Sequence, residues 1–301
     1  MTGTDLRVAT EDAYVLAEGP FWDAPRDRLM WVDIERGLVV VGTLGADGRI
    51  AVVEQVSFPG RVGAVAPSAA GDWIVAVDTR LVVRRRSGEV TDGPVLLPAG
   101  AGRRLNDGLP DPAGRYLVGS LRMDGPSTEE VLVVVDDDVR VLDDDLMLSN
   151  GLAWSADDAT LYSIDTEAQI IYRRPWDAAA GTGGERTEHL RVTDGRPDGM
   201  TIDAEDHLWV AIWGGGQVRR YAPDGSLVAT VEVPVPFVSS VAFAGPRLST
   251  LVITTSHRDL DAAGRRRHPD AGRLFTLEPG VSGAPQPLWS GRLPGPGGGG
   301  R

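Results

Sequence analysis

Six times along the chain, a turn rich in Asp, Gly, Pro or Ala leads into a short run of aromatic and β-branched residues. The six segments are FWDAPRDRLMWVDI from Phe21, VAPSAAGDWIVAVD from Val65, LPDPAGRYLVGS from Leu109, AWSADDATLYSID from Ala153, TIDAEDHLWVAIW from Thr201 and AFAGPRLSTLVITT from Ala242. Anchored on the first large apolar residue after each turn (Leu29, Trp73, Tyr116, Leu161, Leu208 and Leu251), successive repeats are spaced by 44, 43, 45, 47 and 43 residues. A fixed period of this length means that each unit packs mainly against its neighbours, which narrows the choice of fold before any motif is read.

Further turn signals lie between the anchors, such as GADGR at Gly45, RSGE at Arg86 and APDGS at Ala222, and they suit four short strands per repeat. A β-sandwich also has many short strands, but nothing in it demands six equal repeats. A parallel α/β fold needs helices between strands, and the only short helical candidate is Trp176 to Ala180. The sequence therefore predicts an all-β protein, a six-bladed β-propeller with four-stranded blades, formed as one domain over residues 1–291. Residues 292–301, RLPGPGGGGR, are expected to form a flexible Gly/Pro-rich tail.

A propeller aims the innermost strand of each blade at a shared axis, so equivalent positions of different repeats meet in space. About ten residues before each anchor, five repeats carry a residue followed by glycine: Glu18-Gly19, Val62-Gly63, Asp107-Gly108, Asn150-Gly151 and Asp198-Gly199. The sixth repeat has Ser240-Val241 at that place. These side chains are expected at similar depth, and the glycines are expected to turn the backbone into the inner strand and keep bulk out of the channel. Glu18, Asp198 and Asp107 would repel one another there, and a divalent cation held with the Asn150 amide oxygen removes the conflict. Oxygen-only ligands suit Ca²⁺ first, then Mg²⁺ or Mn²⁺, with Zn²⁺ less natural. A single Asp-Gly or Asn-Gly is only a turn dipeptide; recurrence in phase with the blades is what argues for a site.

Composition removes other chemistries. The chain has no cysteine, and all 30 basic residues are Arg, so thiolate and Schiff-base lysine catalysis are unavailable. A net charge of −13 opposes binding to nucleic acid or acidic membranes. No apolar run of about eighteen residues is present, and the N-terminus lacks the apolar core of a signal peptide, so a cytoplasmic protein is expected. There is no G-x-S-x-G elbow and no phosphate loop, and the four histidines lie in contexts that read as surface, His257 least clearly. The acidic runs Asp136 to Asp138 and Asp143 to Asp145 read as solvated hairpin turns.

The motifs AEGPFW at Ala17, RLNDG at Arg104, DPAGRY at Asp111, LSNGLAWS at Leu148, PDGMTID at Pro197 and LWVA at Leu208 together resemble the regucalcin and gluconolactonase family of sugar lactonases. With SSVAFAGP at Ser239 and AGRLFTLEPGV at Ala271, the resemblance runs in order from about residue 14 to 289. It implies a metal held by Glu18, Asn150 and Asp198, the trio that repeat phasing also selects. It further implies that Arg104 and Asn106 face the substrate and a water held by the metal. Asp107 either supports that loop or lies near the metal. After Ser120 the segment LRMDGPSTEE departs from the family pattern in the region that helps to select substrate.

The expected chemistry is hydrolysis of a small lactone, with the cation polarising the carbonyl, Asp198 as candidate general base and Arg104 holding substrate hydroxyls or the developing carboxylate. A propeller hydrolase of another ester, such as a phosphotriester, and a noncatalytic metal- or ligand-binding protein are the competing readings.

Overall fold

The computed structural model describes residues 6–294. Six antiparallel sheets are arranged as the blades of a propeller; four have the strand order of consecutive hairpins, the fourth blade carries a fifth short strand, and the sixth takes its outer strand from elsewhere in the chain. Blade 1 is Ala17–Asp23, Arg28–Asp33, Leu38–Leu44 and Ile50–Ser57. The innermost strands of blades 2 to 6 are Val62–Pro67, Arg103–Pro110, Ser149–Trp154, Arg196–Ile202 and Val238–Ala244. Burial falls from the axis outward. Val62–Pro67 and Ser149–Trp154 are buried at every position, whereas Ile50–Ser57 is mostly exposed. This gradient explains why the second strand of each repeat reads as an apolar run: it is covered on both faces by neighbouring blades.

Aromatic side chains bridge adjacent blades. Trp209 of blade 5 meets Phe243 of blade 6 edge-on, with ring centroids 5.9 Å apart. Polar side chains set the turns that the sequence marks. Asp111 Oδ1 accepts from the backbone N–H of Ala113 and Arg115, Asp203 Oδ1 does the same for Glu205 and His207, and Ser68 and Ser155 cap the equivalent turns. Acting on its own next two to five residues, each carboxylate or hydroxyl pre-forms the reversal between first and second strands.

The sixth blade is closed by the N-terminus. Arg7–Val8 pairs with Phe275–Leu277 in the register Arg7↔Thr276, so the outer strand of the last blade comes from the start of the chain. This joins both ends of the propeller and removes an open sheet edge. The repeat spacing did not carry that information, because two residues make too short a strand to leave a pattern.

Two local expectations are corrected. Trp176 to Ala180 is not helical: Trp176 and Asp177 are the last residues of the strand Ile170–Asp177, and Asp177 Oδ1 accepts from the N–H of Ala179 and Ala180 to make a turn. The helix is at Ala262–Arg267 instead, where the Asp261 side chain caps Gly264 N at 2.6 Å. Asp143 to Asp145 lies within the strand Val139–Leu146 and not in a turn, because Arg174 and Arg186 from blade 4 pair with Asp143, and Arg186 also with Asp145. Asp136 to Asp138 does form a turn.

The innermost strands all run the same way, from the face that carries the site (upper) to the opposite face (lower). The C-terminal segment crosses the lower face: Ala204 N donates to Ser282 O, Trp22 N to Gln286 Oε1, Trp289 N to Pro67 O and Ser290 N to Gly114 O. The channel is therefore covered below. Leu293, within the expected tail, still packs against the core; residues 295–301 of that tail lie outside the described residues. Among the described residues no helix is long and apolar enough to cross a membrane.

Candidate metal and substrate site

Every innermost strand has a register shift against its neighbour near its upper end, at Glu18/Phe21, Val62/Ala64, Leu105/Gly108, Asn150/Leu152, Pro197/Met200 and Val238/Ser240. A β-bulge at the same level in all six blades re-aims the local side chains. The residue-glycine dipeptides mark these bulges, but the role of the glycines differs from the expectation. Only Gly19 has a left-handed backbone, at φ +51. At Gly63 a Cβ would lie 2.6 Å from the carbonyl oxygen of Asn106, and at Gly151 it would lie 2.7 Å from that of Asp198. These glycines let neighbouring innermost strands touch; the space they spare is between blades, not in the channel.

The dipeptides also do not mark one depth. In blade 5 the two residues between Pro197 and Met200 are Asp198 and Gly199; in blade 3 those between Leu105 and Gly108 are Asn106 and Asp107. By register Asn106 is thus the partner position of Asp198, and Asp107 falls one step further along the axis. Two cavities follow from this. The upper one, with about 80 Å³ of water-accessible space, is lined by Glu18, Arg104, Asn106, Asn150 and Asp198 among others. The lower, about 20 Å³, is lined by Asp107 and Ser240 with Gln286 of the C-terminal segment. Larger clefts of about 640 and 860 Å³ lie at the blade periphery and hold none of these groups.

Five of the sequence-selected residues therefore meet, and all are buried: Glu18, Arg104, Asn106, Asn150 and Asp198 are 4–7% exposed. Arg104 is therefore part of the site and not a surface arginine. Its neighbour Arg103 points elsewhere, to Glu130 at 3.0 Å. Arg104 Nη1 donates to Asn106 Oδ1 at 2.7 Å and to Leu105 O at 2.9 Å, and Asn106 Nδ2 donates to Ser149 O at 2.9 Å. None of the four histidines lines either cavity.

The carboxylates are electrostatically strained. Burial, then the charges of Asp198 and Asp107, hold the Glu18 carboxyl well above the usual range. Asp198 is pushed up to about 8 by burial and then by Asp107, against the Asn150 hydrogen bond that lowers it. Asp107 rises to about 6 through burial. Arg104 is drawn down to about 10 by burial. Three carboxylates in one narrow channel cannot all ionise at neutral pH without a cation beside them.

The amide of Asn150 points to what that cation touches. Its Nδ2 donates to Asp198 Oδ1 and to Thr166 Oγ1, the latter at 3.1 Å, and Thr166 spends its own hydroxyl proton on Pro197 O at 2.7 Å. With Asp198 ionised, as metal ligation requires, reversing the amide would set two oxygens against each other, which favours this orientation. Oδ1 is left buried with no hydrogen-bond partner. An orphaned amide oxygen in a cavity shared with two buried carboxylates fits a hard divalent cation, and the all-oxygen donor set fits Ca²⁺, Mg²⁺ or Mn²⁺.

A second acidic group, Asp203, Glu205 and His207, also brings three possible ligand atoms within 4.8 Å of one another. There the donors are already used. Asp203 Oδ2 accepts from Trp209 Nε1 at 2.9 Å and Arg220 Nε at 2.8 Å, and Arg220 reaches Glu205 at 2.7 Å. A guanidinium occupies the place a metal would take.

Thr166, Arg196, Trp213 and Arg258 line the upper cavity and escaped the sequence reading. A repeat alignment on the end of the second strand would have found Thr166, since Asp33, Asp78 and Asp165 all clamp the approach to their innermost strand through its backbone N–H groups. The residue after each enters the upper face: Ile34 and Thr166 both line the cavity.

Residues 16–257 match the family model described as the SMP-30/Gluconolactonase/LRE-like region. The chain is 33% identical over 291 residues to a 6-deoxy-6-sulfogluconolactonase of Pseudomonas putida, covering 95% of this chain and 99% of that one. It is 33% identical over 297 residues to a pentonolactonase of Haloferax volcanii, covering 90% and 93%. Among solved structures, a calcium-binding protein, regucalcin of Agrobacterium tumefaciens, superposes with a TM-score of 0.86 at 30% identity, over 93% of this chain and 95% of that one.

Proposed function

The chain belongs to the SMP-30/gluconolactonase/LRE-like family, and we propose that it acts there as a divalent-metal-dependent lactonase that opens a small sugar-type lactone. The observation that carries this reading is the unpartnered Oδ1 of Asn150, in the cavity that Glu18 and Asp198 also line. The relatives named for hydrolysing sugar lactones, and the calcium-binding structural neighbour, support the substrate class and favour Ca²⁺.

Glu18, Asn150 and Asp198 would hold the cation, which when bound supplies Lewis-acid polarisation of the ester carbonyl. Asp198 receives the proton of the attacking water. With Asn150 bonded to Oδ1, its other oxygen is the one free to do so. As the ring C–O bond breaks, that proton passes to the departing alkoxide, and the product is a hydroxy acid. Arg104 contributes a fixed positive charge for the oxyanion and the carboxylate that succeeds it. Asn106 spends one amide end on Arg104 and the other on Ser149 O, so it positions the guanidinium and offers the substrate only its second N–H.

The test follows proton release from a panel of lactones by the metal-loaded protein, by chelated protein, and by the Glu18→Gln and Asp198→Ala variants. Loss of turnover by at least about a hundredfold in both variants and on chelation is expected. Undiminished hydrolysis in either variant would sink the site. Metal binding without turnover of any lactone would favour a binding protein, and turnover of phosphotriesters alone would favour the other ester class.

A further inference from the structure

One wall of the upper cavity is basic. Arg196 opens the innermost strand of blade 5, two residues before Asp198, and its cross-strand partner is Trp213. Arg258 follows the second strand of blade 6 and places its guanidinium carbon 5.4 Å from the centre of the Trp213 ring. Trp213 is itself held by Phe237, with ring centroids 4.8 Å apart. Arg196, Trp213 and Arg258 all line the cavity beside Asp198.

Each of these arginines has a carboxylate partner, but the partners stand behind them. Arg196 pairs through Nη2 with Glu167, and Arg258 pairs through Nε and Nη2 with Asp259 at 3.0 and 3.1 Å. Glu35 bonds Arg61 at 2.9 Å and lies 3.7 Å from Arg258 Nη1, beyond a hydrogen bond. Glu35, Glu167 and Asp259 do not line the cavity. Arg196 with Glu167, at 44% and 38% side-chain exposure, and Arg258 with Asp259, at 36% and 44%, are surface pairs that rearrange at little cost. Nε and Nη1 of Arg196 and Nη1 of Arg258 remain available to a ligand.

We propose that Arg196 and Arg258, with Trp213 between them, receive an anionic substituent on the substrate at the end away from its ring carbonyl. On the lactonase reading, from which this follows, the preferred substrates are sugar lactones that carry a carboxylate, sulfonate or phosphate group. Two planar guanidinium groups match the oxygens of such a group, and the Trp213 ring steadies the Arg258 guanidinium that lies over it. The cation below takes the reacting end, so the charged end is directed to the rim.

Steady-state hydrolysis by the metal-loaded chain is compared for glucono-1,5-lactone, its 6-phosphate and 6-sulfonate counterparts, and a glucarolactone bearing a carboxylate. At least one anionic lactone is expected to exceed the neutral one about tenfold in kcat/KM, with the preference shrinking as salt rises. The three anionic arms show which headgroup is read. In Arg196→Gln and Arg258→Gln the anionic substrate is expected to lose about tenfold through KM, far more than the neutral one, and Arg196→Lys is expected to recover part of the loss. Equal kcat/KM for charged and neutral lactones in the wild type, or equal losses for both in the variants, overturns the proposal. If no lactone is turned over, the lactonase reading falls by itself. Calorimetry with 6-phosphogluconate and gluconate then decides the anion site: tighter binding of the phosphate that is lost in Arg258→Gln supports it, and equal binding overturns it.

Discussion

Asn150 of blade 4 donates its amide hydrogen to Asp198 of blade 5, and Thr166 locks the amide in that orientation, so the Asn150 carbonyl oxygen is presented with no protein partner. One hydrogen bond thus both restrains the candidate base and aims a candidate ligand. Thr166→Val removes the lock while keeping the shape. Affinity for Ca²⁺ is expected to fall about tenfold, with the fold intact, because supporting partners of metal ligands carry effects of that size. Isothermal titration measures it; unaltered affinity would show that Thr166 does not orient the amide.

The strained carboxylates make stability depend on pH with a defined sign. Asp198 rises to about 8 and Asp107 to about 6, from ordinary values near about 4. Folded, metal-free protein therefore keeps protons that the unfolded chain has released. This contribution is complete below about pH 4 and is lost as pH rises through the folded values. Bound cation acts in the opposite direction, since ligation needs ionised carboxylates. Thermal unfolding from about pH 5 to 9 is expected to show a widening gap between metal-saturated and chelated protein; a gap constant with pH contradicts the assignment.

Asp107 is the carboxylate that strains both ligands without sharing their cavity. Asp107→Asn keeps an acceptor for the Gly108 N–H, which now bonds Oδ1 at 2.8 Å. The metal-free protein is expected to gain about 1 kcal/mol near pH 8, and its pH dependence to flatten. Metal affinity is expected to weaken several-fold as the channel becomes less negative. Denaturant titration with and without Ca²⁺ checks both; tighter metal binding would contradict the account.

Asp203 has metal-ligand neighbours but a structural task, holding Trp209 and Arg220 together under the blade 5 turn. Asp203→Ala is expected to cost about 3 kcal/mol, because the buried Trp209 N–H, the half-buried Arg220 guanidinium and the turn N–H groups lose one shared acceptor. Metal stoichiometry is expected to stay at one ion per chain. A lowered stoichiometry with unchanged unfolding would instead make Asp203 a ligand.

Much of the fold was legible because a propeller is periodic. Six turns in phase imply six blades, and phase brings Glu18, Asn150 and Asp198 to one axis although 180 positions separate the first from the last. The period stops being informative where the chain departs from it. The closing strand Arg7–Val8 is too short to show a pattern, and the segment that covers the lower face belongs to no repeat. Asp143 was read as solvated because its neighbours in sequence are acidic, yet its partners Arg174 and Arg186 come from another blade.

Sequence alone determined the six blades, the convergence of Glu18, Asn150 and Asp198 on one axis and the absence of cysteine and lysine chemistry, since composition and period are properties of the chain itself. Tertiary structure decided the rest of the site. The bulge register put Asn106 level with Asp198 and sent Asp107 into the lower cavity, a one-residue difference that spacing to an anchor does not resolve. It also faced Arg196 and Arg258 into the upper cavity with their carboxylates behind them. Side-chain direction at a bulge or on a loop is set by packing between blades, and no local pattern encodes it.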